Sequence, residues 1–193
     1  MQGLESLQVI TPEEAIKQSP NLSGPIVVYD DEQGYLAGVI ADHLSFDEHE
    51  VIFITPASVV SPWTESTLEQ KRIQKALLVS GVNVICNKTI DKAEGSNLNL
   101  KCVFTGEISL LKCSSLVMVT ERIPNTTLYD QLVEQENNIE QGEAKHIQLI
   151  GDAESPGLIA DAVFLGHLAA QSFEEPEQEI QKAMFMREMP SLK

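Results

Sequence analysis

The residues of this 193-residue chain best placed to do chemistry are Gly151 and Asp152, which close the apolar run 146–150 (HIQLI) just ahead of an amphipathic stretch reaching residue 174. A carboxylate at a strand tip that faces a helix start suits a ribose or ribityl hydroxyl, because an ionised acceptor makes hydrogen bonds about twice as strong as a neutral one. Strand, Gly151-Asp152, short loop and helix together read as half of a nucleotide site. An equal reading makes Asp152 a loop acid that caps the helix opening near Pro156 or Gly157.

The other half should be a glycine-rich turn after the first strand of a βαβ unit, and the place for it is 30–38, DDEQGYLAG. Of the pattern G-x-G-x-x-G only Gly34 and Gly38 remain, and three carboxylates, Asp30, Asp31 and Glu32, stand where a diphosphate would lie. At about 6 Å and an effective dielectric near 20, each carboxylate–phosphate pair costs roughly 3 kcal/mol, against about 1 kcal/mol returned by a helix N-terminus. The acids are expected to cap the helix themselves. The acid that would hold a ribose at the end of the next strand is replaced by Thr55-Pro56, with no Lys or Arg there for a 2'-phosphate.

Other chemistry is thinly supported. His43, His49, His146 and His167 lack metal-ligand spacing and read as solvated or core-satisfied side chains. Cys86, Cys102 and Cys113 have no C-x-x-C spacing, which argues against a disulfide framework, a zinc site or an iron–sulfur site, and they read as reduced, buried thiols. There is no G-x-S-x-G, no Walker loop and no nucleophile with an evident base, so no catalytic residue and no metal ligand is assigned.

The elements that must position these residues follow from pattern. Thr11-Pro12-Glu13-Glu14 supplies an N-cap, a proline at N1 and a glutamate at N3, predicting a helix over 12–17. A buried strand over 26–29, a helix over 35–44 and a strand over 50–54 make a βαβ unit and imply a parallel sheet. An amphipathic helix over 67–79, with Gly81 just past its end, is expected to pack on that sheet. Segments 82–86, 98–104 and 108–111, with turns at 94–96 and 105–106, predict an antiparallel meander. A strand over 116–119, a helix from Leu128 to about Glu136 and an acidic surface stretch over 134–143 lead back to His146. Pro176 should stop the last helix. The tail, with Met184, Phe185, Met186 and Met189, reads as a docking arm.

Composition bounds the function. Hydrophobic residues make up 42% of the chain, enough for a core, while a formal charge of −16 with scattered Lys and Arg disfavours nucleic acid as a partner. The start MQGLESLQ has no signal-peptide pattern, and no run approaches the roughly 20 apolar residues of a membrane span, so a soluble, cytoplasmic protein with no membrane contact is expected.

The order of parts resembles the glutathione-reductase-like superfamily, in which a G-R-x-P-N-T stretch, here Thr120-Glu121-Arg122-Ile123-Pro124-Asn125-Thr126, precedes a strand ending in G-D. Five stretches, 11–14 (TPEE), 63–70 (WTESTLEQ), 149–156 (LIGDAESP), 158–162 (LIADA) and 166–167 (GH), are similar to the C-terminal third of the trimethylamine dehydrogenase group, which the dienoyl-CoA-reductase-like enzymes join. The resemblance runs nearly end to end. It implies an α/β, three-layer FAD/NAD(P)-binding-like (Rossmann-type) domain with a small antiparallel meander, plus a fragment of a second such domain. On that mapping 1–22 is a lead-in from a medium, FAD-like domain, 23–145 is a small NAD(P)-binding-like domain, and 146–193 is the return of the medium domain with an extended tail.

The resemblance further implies a parent oxidoreductase whose N-terminal barrel, not contained in this chain, carries FMN and a [4Fe-4S] cluster and is this chain's partner, while the medium domain holds ADP or FAD. Cofactor-binding positions carried over are Gly151, Asp152, Gly34 and Gly38, and no cofactor is expected in this chain alone. The expected role is structural or regulatory and non-catalytic. Two alternatives stay open: a working NAD(P)H-, ADP- or FAD-binding electron-transfer domain, and a free-standing interaction module. An adenine nucleotide and a homo-oligomer stay open as partners.

Overall fold

Five consecutive residues, Ile26–Asp30, bury every side chain and form β2, flanked in a computed structural model of the protein by β3 (Val51–Ile54) and β8 (Ser115–Val119). The structure describes residues 2–18, 22, 24–138 and 147–173. With β1 (Gln8–Ile10) and β4 (Asn83–Ile85) the sheet is five-stranded and parallel, in the order β1-β8-β2-β3-β4. Continuous apolar runs such as Ile26-Val27-Val28-Tyr29 belong in such a sheet because both of its faces are covered.

On one face Ile26, Val28, Phe53 and Val117 pack against α2 (Leu36–Phe46) and α3 (Gln70–Val79) through Ile40, Leu44 and Leu77. On the other, Val27, Tyr29, Ile54 and Leu116 pack against an antiparallel sheet of β5 (Lys88–Glu94), β6 (Asn97–Cys102) and β7 (Ile108–Lys112) through Ile90, Leu98 and Leu100. The layers are therefore helices, parallel sheet and meander, the α/β architecture expected from the sequence. Each fully buried large side chain in these two faces contributes about 1.5–3 kcal/mol.

α1 spans Pro12–Gln18 and opens with the predicted reciprocal cap: the Thr11 N–H donates to Glu14 Oε2 at 2.8 Å, and the Glu14 N–H donates to Thr11 Oγ1 at 3.2 Å. The Thr11 N–H, and after it the Thr11 hydroxyl, hold the Glu14 carboxyl below its usual range.

Some expectations are corrected. Segment 82–86 is not part of the meander; its core, β4, pairs in parallel with β3. The first meander strand is β5, whose alternation of charged and apolar residues is broken by a bulge between Ile90 and Lys92. α3 begins at Gln70 rather than Thr67, because a 3-10 turn over Pro62–Glu65 and a left-handed Leu68 (φ 61°) delay it.

The chain divides into two compact units, Met1–Glu121 and Arg122–Lys193. In the second, α4 runs Thr127–Asn138 and α5 runs Ile159–Gln171. The apolar run before Gly151 is not a strand where it is described: Ile150 is extended (φ −142°, ψ 159°), but 147–150 pairs with no strand among the described residues, and Gly151–Ala153 is a 3-10 turn. A strand needs a neighbour to receive its ladder. α5 starts two residues after Gly157 and ends at Ser172, whose hydroxyl donates to the Leu168 carbonyl at 2.6 Å, so Pro176 is not its stop. His146, most of the acidic stretch and the Met-rich tail lie outside the described residues.

Candidate functional site

In an open parallel sheet ligands bind beyond the C-terminal strand ends where the strand order reverses. Here the reversal lies at β2, whose neighbours are β3 on one side and β8 on the other. The turn leaving β2 is therefore the place where a nucleotide diphosphate would be met.

Its backbone donors are engaged within the chain. The Asp31 and Glu32 N–H groups both donate to the Val119 carbonyl at the end of β8, at 2.9 and 3.3 Å, and the Gln33 N–H donates to Asp30 Oδ1 at 2.8 Å. Gln33 takes a left-handed conformation (φ 62°), and its carbonyl accepts from the Trp63 N–H at 3.2 Å. Asp31 Oδ1 accepts from the Tyr29 hydroxyl at 3.3 Å, and that hydroxyl also meets Thr89 Oγ1 at 2.8 Å. The Glu32 carboxylate lies over Gly34, with a side chain at Gly34 reaching Glu32 Cδ at 3.7 Å.

Asp30 is wholly buried. One carboxyl oxygen is bonded to Gln33, and the other has no partner. Burial pushes this carboxyl up to about 7; the Gln33 N–H opposes the rise, and the neighbouring Glu32 and Asp31 charges add to it. The helix that follows begins at Leu36, and its N-cap residue, Tyr35, makes no side-chain cap, so the three acids do not cap it as the sequence led one to expect. Asp30 closes the turn ahead of the helix instead.

Gly38, on α2, has a packing role. A Cβ there would lie 2.6 Å from Ile73 Cγ2 and 3.4 Å from the buried, unpartnered Ser61 Oγ. Its missing side chain allows α3 and the loop before it to approach α2.

Gly151 and Asp152 belong to the second unit, Gly34 and Gly38 to the first. Gly151 takes φ 58°, the left-handed region open to glycine. Asp152 Oδ1 accepts from the Gly157 N–H at 3.3 Å, closing the loop. The acid at the opening of α5 is Asp161, whose Oδ2 accepts from the Leu158 N–H at 2.8 Å. Sequence reasoning missed the Tyr29–Thr89 contact and the Val119 carbonyl; Thr89 sits in a strand that pattern did not reveal, and a backbone carbonyl leaves no trace in residue type.

The cysteines differ from one another. Cys113 is buried and pushed up to about 11 by desolvation, opposed by a backbone bond from Val27, while Cys86 and Cys102 are partly exposed, contrary to the expectation of three buried thiols. Hydrogen bonds from Thr105 and the Phe104 N–H pull Cys102 down to about 7. Ellman's reagent at pH 7.4 should therefore modify Cys102 first and Cys113 only on unfolding; fastest modification of Cys113 in the native chain would contradict this.

Among the described residues no helix is long and apolar enough to cross a membrane, and no group of three or more His, Cys, Asp or Glu could hold a metal ion. His43 and His167 lie on α2 and α5.

No protein-family model matches the chain. It is 26% identical over 192 residues to dimethylamine dehydrogenase from Hyphomicrobium sp. (strain x), covering 90% of this chain and 26% of that enzyme. The solved structure of histamine dehydrogenase from Rhizobium sp. 4-9 superposes with a TM-score of 0.83 at 32% identity, over 89% of this chain and 27% of that one. A flavoprotein disulfide reductase from Escherichia coli, RclA, shares the fold with a TM-score of 0.63 at 16% identity, over 90% of this chain and 41% of that one. This chain spans about a quarter of the length of the two amine dehydrogenases it matches. Along nine-tenths of its length it is a trimethylamine-dehydrogenase-like segment, an oxidoreductase-family domain with the α/β fold of the flavoprotein reductases.

Proposed function

We propose that this chain acts as the C-terminal nucleotide-domain-like portion of an amine-dehydrogenase-like oxidoreductase, that its dinucleotide turn no longer takes a coenzyme, and that it is structural or regulatory rather than catalytic. One observation carries the reading: the amides of Asp31, Glu32 and Gln33, the donors a diphosphate would need, are bonded to Val119 and Asp30. The Glu32 carboxylate over Gly34 supports it further, since a phosphate would have to displace that charge. Gly151 and Asp152 are proposed as the matching half of a second nucleotide site, completed by a phosphate loop from elsewhere in the parent. In such a parent an N-terminal barrel would supply the redox centres, and 23–145 would be the small domain between two returns of the medium one.

Calorimetry with ADP, NADH and NADPH tests this. The expected result is no binding heat in the micromolar range and a colourless chain. Saturable NADH binding would favour a working electron-transfer domain instead. No observation in the structure raises that reading above the first.

A further inference from the structure

α2 and α3 follow successive strands of a parallel sheet, so their C-terminal ends lie side by side, pinned where the Ser45 hydroxyl donates to the Ser80 carbonyl at 2.7 Å and the Ser80 hydroxyl donates to Asp42 Oδ1 at 2.9 Å. Between them is a groove of about 570 Å³ lined by Val39, Asp42, His43, Ser45, Phe46 and Ser80. Its walls are apolar in an unusual way for a surface: Phe46 is 85% exposed and Val39 49%, with Val79 beside the Ser80 rim 78% exposed. A phenyl ring so exposed contributes almost nothing to the fold.

The charge at the closed end of the groove is negative. Two helix C-termini meet there, each carrying about half a negative charge. Asp42 adds a carboxylate to the lining, which contains no Lys or Arg, and Asp47 adds another beside His43; the cations of α3, Lys71, Arg72 and Lys75, precede its last turn. His43 Nε2, 3.8 Å from Asp47 Oδ2, is shielded from solvent and has no hydrogen-bond partner within the chain. An apolar anchor surface edged with negative charge is the complement of one ligand chemistry: a cationic group carried beside an apolar body.

We propose that this groove docks a basic amphipathic segment of another protein, with an apolar side chain seated against Phe46 and Val39 and a Lys or Arg directed at Asp42 and the two helix ends. The site is separate from the β2 turn and does not depend on whether that turn binds a coenzyme. Helix-in-groove recognition uses such a pairing of apolar anchors with flanking charge.

The test uses the full chain, labelled for nuclear magnetic resonance, titrated with a synthetic amphipathic helix of Leu and Lys, with its Leu/Glu counterpart, and with hexylamine. Expected are saturable one-to-one binding of the Leu/Lys peptide only, shifts confined to 39–47 and 76–81, and a loss of at least about tenfold in affinity in both Phe46→Ala and Asp42→Lys. Phe46 is exposed, so Phe46→Ala leaves the fold intact, and unchanged spectra away from the groove check this. Equal binding by wild type and both variants would mean diffuse attraction to an acidic chain and would overturn the proposal, as would absence of saturation. Hexylamine producing the same shifts with comparable affinity would assign the groove to a small amine and also overturn it.

Discussion

Asp30→Asn is expected to flatten the pH dependence of stability and to leave the protein more stable than wild type above pH 7. The Asp30 carboxyl is raised from its ordinary 3.8 to about 7 chiefly by burial, so the folded chain favours the protonated form. For a raised carboxylate the sign is fixed: its contribution is fully present below about pH 3.8, falls as pH rises towards 7, and is constant above that. The shift corresponds to a swing of up to about 4 kcal/mol between pH 3 and pH 8. An asparagine keeps the acceptor for the Gln33 N–H but places an amide where Oδ2 has no partner, at a pH-independent cost of about 1–3 kcal/mol. The variant should gain on wild type by roughly 4 kcal/mol as pH rises from 4 to 8. Urea denaturation of both proteins at several pH values measures it, and parallel curves would remove Asp30 as the titrating group.

Gly38→Val should destabilise the first unit by about 2–3 kcal/mol, and Gly38→Ala by about 1–2 kcal/mol. Any Cβ at this position comes within 2.6 Å of Ile73 Cγ2, and Ile73 cannot withdraw because it packs on the buried core from α3. If the contact is the cause, Ile73→Ala combined with Gly38→Ala should recover part of the loss, since neighbouring substitutions are not additive. Additive losses in thermal melts would mean that the glycine matters for another reason. The two glycines therefore differ: Gly38, on α2, serves helix packing, whereas Gly34, in the β2 turn, is covered only by the Glu32 side chain.

Much of the fold was readable because its signals are local. Ile26-Val27-Val28-Tyr29 has no polar residue to place it at an edge, and Thr11 with Glu14 names its own cap. β5 was not readable, because Lys88, Asp91, Lys92 and Glu94 look like a wet loop and only the bulge after Ile90 reconciles them with an inward-facing Ala93. Leu68, left-handed and 90% exposed, hides the true start of α3 behind a residue type that ordinarily continues a helix. The acids of the β2 turn were readable as residues but not as roles. That Asp30 would be buried beneath the turn, and that Asp31 and Glu32 would give their amides to Val119, depends on a strand pairing across some ninety residues of sequence.

The central claim is that the backbone donors at the end of β2 are held by the protein itself. The measurement that addresses it most directly is a nuclear magnetic resonance titration of the isotope-labelled chain with NADH, following the amides of Asp31, Glu32 and Gln33. These three resonances are expected to stay in place at millimolar coenzyme, with the Asp31 and Glu32 amides protected from hydrogen exchange by the Val119 carbonyl. Saturable downfield movement of those amides, as each turns from Val119 or Asp30 to a phosphate oxygen, would contradict it.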